Sequence, residues 1–193
     1  MPIRRLLATS ALVLAAFAPH TQAASLSADN QWLPFDIDEL SALSGGLGWI
    51  DLSTGTPLSF SFHIAAGYQG TLTVVDGGFA GDRFRLTDGQ AVLGDTSQPA
   101  ASYPDSIALD FDAALADARY SSARFTLGAG SHAVSGYLLQ SVLVEGAALN
   151  ATVGAVRLSV SAVPEPATLA SLLAGLSLLT LVLRRRGNAG NSK

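Results

Sequence analysis

Leu58, Phe60, Phe62 and Ile64 alternate with Ser59, Ser61 and His63. A period of two places the apolar set on one face of an extended chain and the polar set on the other, as a half-buried strand requires. Similar stretches recur at 71–75, 83–86, 90–93, 107–111, 123–127, 132–144 and 155–160. Short strands separated by Gly and Asp predict an all-β domain, an antiparallel β-sandwich of the jelly-roll-like or Ig-like kind. The clearest hairpin runs from Arg83 to Leu93, with Asp88-Gly89 as a type I′ turn that takes positive φ at both central positions. Residues 113–120, after Asp112 as candidate N-cap, read as a brief helix or turn, and 96–104 reads as a surface loop. No fixed-period repeat runs through the chain, which excludes a solenoid or propeller.

Both ends depart from this pattern. Residues 1–23 carry Arg4 and Arg5, an apolar run from Leu6 to Ala18, then Pro19 and a small-residue site ending at Ala23. This is the three-part layout of a secretory signal peptide, with signal peptidase as the partner that cuts after Ala23. Residues 167–183 are seventeen positions without a charge, closed by Arg184, Arg185 and Arg186. At about 1.5 Å per residue they reach roughly 25 Å, and snorkelling arginines or local thinning close the gap to a core of about 30 Å. The three arginines act as a membrane stop, because guanidinium groups resist entry into lipid and stay cytoplasmic. The expected order is signal peptide 1–23, exported β-sandwich domain 24–161, and a C-terminal segment 162–193 that holds the transmembrane helix 167–183.

Directly before the apolar run stand Pro164, Glu165 and Pro166. The prolines hold this stretch extended, because each ring fixes φ and each preceding residue is pushed away from the α region. Pro-Glu-Pro, then a hydrophobic helix, then an arginine cluster resembles the PEP-CTERM sorting signal of Gram-negative bacteria, over about residues 162–186. The resemblance implies that an exosortase, an integral-membrane cysteine transpeptidase, recognises the tail and cuts near Pro164–Pro166. It also implies a link to exopolysaccharide, which such genes usually accompany. The stretch from Phe60 to Gly136 is similar to extracellular β-sandwich domains often carried by PEP-CTERM proteins, which implies fold and secretion and no particular reaction.

Composition narrows the chemistry. Of 193 residues none is cysteine, which excludes disulfides, thiolate catalysis and Cys-ligated metal. Between the two ends five arginines face fourteen carboxylates, a balance that repels phosphate backbones and argues against nucleic acid as a partner. Acidic residues gather at Asp36, Asp38 and Glu39, at Asp76 and Asp82, and at Asp110, Asp112 and Asp117. Ca²⁺ takes six to eight oxygens, often from paired carboxylates and Gly-rich turns, so Asp76, Asp82, Asp110 and Asp112 are its candidate ligands. Neither group has EF-hand spacing, and solvated turn carboxylates explain both without a cofactor.

His63 and His132 are read as surface residues, one on the polar face of a strand and one in a loop. No G-x-S-x-G presents a serine nucleophile, so no catalytic residue is assigned. Trp32, Phe35, Trp49, Tyr68, Tyr103, Tyr120 and Tyr137 offer either core packing or a platform on which sugar rings stack.

The expected protein is a non-enzymatic cell-surface or exopolysaccharide-matrix component with a structural or adhesive role. The membrane holds its precursor transiently, with the domain outside and the C-terminus cytoplasmic. A carbohydrate-binding module is the first alternative. A secreted hydrolase is the second, and would require folding to join two acidic residues or a Ser-His pair in one concave pocket. Neither constellation is expected.

Overall fold

The period-two stretches fold as strands in a computed structural model that describes residues 22–163 and 171–179. In chain order the elements are β1 (Gln22–Ser25), β2 (Leu33–Asp38), β3 (Ile50–Asp51), β4 (Thr56–Ile64), β5 (Tyr68–Asp76), β6 (Arg83–Asp88) and β7 (Ala91–Asp95). There follow α1 (Phe111–Ala116), β8 (Ser122–Leu127), β9 (Gly130–Gln140), β10 (Leu143–Val144), β11 (Ala147–Ala148) and β12 (Ala151–Ala162). Strands β10 and β11 form a small separate hairpin. The other ten make one sheet in the order β7-β6-β9-β4-β3-β2-β12-β5-β8, with β1 parallel beside β4 and the remaining pairs antiparallel.

The class is therefore all-β and mostly antiparallel, as expected, but two independent sheets are not what forms. The two-residue β3 pairs with β2 through Ile50 and with β4 through Ile50 and Asp51, which carries the hydrogen bonding across the corner. The two ends of the path also meet. Ser97, just beyond β7, donates its N–H to the Ser122 carbonyl at 2.9 Å, and the Thr96 hydroxyl donates to Ser121 Oγ at 2.9 Å. The sheet is thus barrel-like, its ends drawn together by a side-chain and main-chain clasp.

Inside, Phe35 lies on Trp49 with ring centroids 3.9 Å apart and planes 14° from parallel, while Phe84 and Phe60 approach edge-on. Such pairs add about 0.5–1.5 kcal/mol to the area they bury. Two glycines make room for the stack. A Cβ on Gly154 would run into the Phe35 ring, and one on Gly136 would lie 2.7 Å from Trp49 Cε2 and 2.6 Å from the Arg85 carbonyl.

A second apolar cluster covers the opposite face of β5 and β12. Phe111 and Ala114 of α1, with Tyr120, pack there on Val75, Ala80 and Ala155. Consequently 72–76 is buried at every position, and the alternation that marks β4 is lost in the second half of β5.

Several local details differ from the sequence reading. Asp88 pairs with Ala91, so the hairpin loop is Gly89-Gln90, and within it only Gly89 takes positive φ, as in a type II′ turn. Asp88 stays in the strand because its carboxylate accepts the Ala133 N–H at 2.9 Å and contacts His132 Nδ1 at 2.6 Å. The helix starts two residues early, since Asp110 accepts from the Ala113 N–H at 3.0 Å and is the N-cap. Residues 107–110 form no strand, and Ala108 turns the chain with φ +54. The 96–104 loop is partly interior, with Thr96 and Ser102 buried.

His132 is on β9 and not in a loop. Both its ring nitrogens face acceptors, Asp88 Oδ2 and the Gly128 carbonyl. Burial lowers its pKa, but those two partners outweigh burial and raise it above 6.5.

Residues 171–179 are helical, and their leucines are more than half exposed. No helix among the described residues is long and apolar enough to cross a membrane. The expected span 167–183 continues on both sides into residues outside the described ones. Also outside them lie 1–21 of the expected signal peptide, Pro164, Glu165, Pro166, Arg184, Arg185 and Arg186.

Replacing Gly136 by Ala is expected to destabilise the domain by about 2–3 kcal/mol, because the indole has no free volume into which to retreat. Urea unfolding followed by tryptophan fluorescence reads this directly; an unchanged midpoint would show that the β9–Trp49 contact has slack.

Candidate functional site

The site is built on the loop that joins β5 to β6, Asp76-Gly77-Gly78-Phe79-Ala80-Gly81-Asp82. Gly77 turns its N–H to the Val153 carbonyl at 2.9 Å, ending the pairing of β5. Gly78 and Gly81 take φ of +65 and +143, which a side chain at either place would resist. The loop is clamped from outside: the Gly78 carbonyl accepts from the Ile107 N–H, the Ser106 hydroxyl and the Tyr120 hydroxyl. Ala80 exchanges hydrogen bonds with Ser102, its N–H to Oγ at 2.9 Å and its carbonyl from the Ser102 N–H at 3.0 Å.

The clamp seals two carboxylates inside. Asp76 is 0% and Asp82 1% exposed. The Asp82 N–H donates to Asp76 Oδ2 at 3.3 Å, and the Val142 N–H donates to Asp82 Oδ1 at 2.9 Å. Asp76 Oδ1 and Asp82 Oδ2 are buried with no hydrogen bond of acceptable geometry. Burial, and then the neighbouring Asp82 charge, push Asp76 up to about 9. Burial also raises Asp82, against the opposing pull of the Val142 amide and the nearby Thr152 and Ser141 hydroxyls.

No cation answers the pair. Among the described residues Arg83 and Arg85 pair with Asp95, Arg119 with Asp117, Arg157 with Asp112 and His132 with Asp88. Buried charge without a partner is costly, so such a pair holds either a proton or a metal.

Asp82 also borders a cavity of about 280 Å³, lined besides by Asp36, Asp38, Leu52, Phe79, Leu149 and Thr152. A neighbouring cavity of about 350 Å³ shares Asp36 and Leu52 and adds Asp51. Together they form a groove with an apolar floor and an acidic rim. Along the rim, Asp38 holds the Leu40 N–H and the Ser41 hydroxyl, and Asp51 holds the Ser53 hydroxyl; these bonds lower both pKa values. Asp36 moves the other way, raised first by burial and then by the Asp51 charge. Such a rim favours cations and hydroxyl groups and disfavours phosphates and carboxylates.

Of the four candidate calcium ligands, folding brings Asp76 and Asp82 together and leaves Asp110 and Asp112 elsewhere. Asp110 caps α1. Asp112 accepts from Trp32 Nε1 and Arg157 Nη1, both at 3.0 Å, with the guanidinium 4.3 Å above the Trp32 ring. No group of three or more His, Asp or Glu suited to a metal occurs among the described residues.

Of the aromatic candidates Phe35, Trp49 and Tyr120 are buried, while Tyr68, Tyr103 and Tyr137 are exposed. Tyr103 meets Phe79, a lining residue of the groove, edge-on at 5.2 Å.

Ser131 Oγ lies 3.2 Å from His63 Nδ1, two exposed residues on the adjacent strands β9 and β4, and neither lines either cavity. Asp36 and Asp38, read as part of an acidic cluster, are the outward positions of β2. The alternation of Leu33, Phe35 and Ile37 was the signal for that strand, and Pro34 obscured it.

A family model described as the PEP-CTERM protein-sorting motif matches residues 162–186. The chain therefore carries that motif, as the Pro-Glu-Pro pattern led one to expect. No curated protein matches the chain. Among solved structures it is similar to the pre-peptidase C-terminal domain of collagenase from Bacillus anthracis, at 9% identity over 74% of this chain and 97% of that one, with a TM-score of 0.36.

Because the Asp51 charge contributes to the raised pKa of Asp36, Asp51→Asn is expected to lower the Asp36 titration midpoint without restoring its ordinary value, since burial remains. Carboxyl carbon NMR across the acid range measures it; an unmoved midpoint would mean that the two carboxylates do not sense one another.

Proposed function

We propose that this chain is an exported protein of the cell surface or exopolysaccharide matrix, non-enzymatic, with a structural or adhesive role, and processed at its C-terminus by an exosortase. The observation that carries the reading is the sorting motif at 162–186 together with where the sheet stops. Strand β12 is paired through Ala162 with Tyr68, and the Val163 N–H closes on the Gly67 carbonyl at 2.9 Å. Cleavage at 164–166 therefore removes no strand residue, and the released domain keeps every hydrogen bond of its last strand.

On this reading signal peptidase removes 1–23, and with them Gln22 and Ala23 of β1, which pair with Leu58 and Ser59 of β4, and residues 24–161 form the exported domain, an all-β, barrel-like unit. Residues 162–193 hold the precursor in the membrane through a helix at 167–183, with Arg184–Arg186 inside.

Changing Pro164 and Glu165 to Ala is expected to leave export intact and stop processing, so that full-length chain accumulates in the membrane fraction. Intact-mass analysis of the extracellular form is the measurement, and a mature protein of normal mass from the variant would refute the sorting role.

One observation favours carbohydrate binding as a second reading. The groove offers the Phe79 ring to a sugar face and Asp36 and Asp38 to its hydroxyls. In a polysaccharide-containing native gel the protein should then be retarded, and Phe79→Ala should abolish most of that retardation; equal mobility with and without polysaccharide excludes it.

A further inference from the structure

The Asp76–Asp82 pair is the most strained piece of chemistry among the described residues. Two acidic side chains are shut into the protein, each with one oxygen that nothing satisfies. A packed loop holds them there, for a Cβ on Gly81 would lie 2.9 Å from Val142 Cβ and one on Gly77 2.8 Å from Phe111 Cε1. Asp82 and Thr152 line the 280 Å³ cavity, and Asp76 lies behind Asp82, away from it. Among the described residues no arginine or histidine forms an ion pair with either carboxylate.

We propose that Asp76 Oδ1 and Asp82 Oδ2 are the anionic ligands of a divalent hard-cation site, taking Ca²⁺, with the Thr152 and Ser141 hydroxyls and cavity water supplying further oxygens. Ca²⁺ suits the place better than Mg²⁺. It accepts six to eight oxygens in irregular geometry, whereas Mg²⁺ demands a near-ideal octahedron and keeps its own waters. Zn²⁺ is disfavoured by a donor set without histidine or cysteine. The ion neutralises the mutual repulsion of the pair and ties the β5–β6 loop to Val142 and to the start of β12. The domain would consequently be firmest where calcium is plentiful, outside the cytosol.

The test uses the full-length chain in detergent, stripped with EGTA and titrated with CaCl₂ at neutral pH. Expected are one-site heat at near-equimolar stoichiometry and a melting temperature raised by about 4 °C at tenfold excess over Kd. Asp76→Asn and Asp82→Asn should each weaken binding at least about tenfold. Asp110→Asn, which keeps the helix cap, should leave both readouts unchanged. No heat and no melting shift up to about 10 mM CaCl₂, beyond the range of weak extracellular calcium modules, overturns the proposal. So does calcium binding that survives both pair variants. A third overturning result is a melting temperature that Asp76→Asn raises in EGTA while CaCl₂ leaves the wild type untouched, because the pair then shares a proton instead of an ion. The wild-type titration decides the matter even if a variant fails to fold.

Discussion

The stack of Phe35 on Trp49 is the contact on which the barrel-like sheet depends. It joins β2 to the segment leading into β3, and it sits where β9 and β12 both come within reach. Those two strands give way to it by carrying glycine at 136 and 154, so that aromatic rings fill the space that two Cβ atoms would claim. Phe84 and Phe60 close on the stack from β6 and β4. Five strands, β2, β4, β6, β9 and β12, thereby share one packing unit, and the two-residue β3 serves to turn the corner beside it. Trp49 Nε1 is left buried without a partner, a cost of about 1–3 kcal/mol that the surrounding apolar burial must exceed.

The same sheet is covered on its other face, over β5 and β12, by α1 and the chain leading to Tyr120. Burying β5 on both faces has a chemical consequence at its end. The chain has to leave the sheet through a loop that is itself enclosed, and that loop begins and ends in aspartate. Tyr120, Ser106 and Ser102 satisfy the main chain of the loop, and each carboxylate is left with one oxygen on a main-chain N–H and the other unpartnered. An isolated ion pair would have settled this with an arginine, but the arginines nearby are committed to Asp95, Asp112 and Asp117.

Strands such as β4 were legible because their surroundings differ on the two faces, which writes itself as alternation. The second half of β5 was legible only as an apolar run, since its neighbours are apolar on both sides. Strand β2 alternates cleanly, yet Pro34 within it reads as a breaker; it stands at the second position of the strand, opposite Ala155, and β3 pairs with β2 only further along, at Asp36. The hairpin turn slipped by one residue because Asp88 is held by His132 and Ala133, forty-four and forty-five positions away. The helix began at Asp110 because its carboxylate, not that of Asp112, reaches the Ala113 amide.

Taken alone, the order of residues determined the all-β class, the sorting motif and the exclusion of thiol chemistry, because each rests on local composition or on a period that a few residues suffice to express. Which carboxylates meet was decided by tertiary structure. Asp76 and Asp82 are brought inside by clamps from 102–120 and from Val142, while Asp110 and Asp112, also neighbours in the chain, are drawn to a helix end and to Arg157. Charge spacing along a chain does not say how deeply each group is buried, and burial is what turns an ordinary acidic turn into an unsatisfied pair.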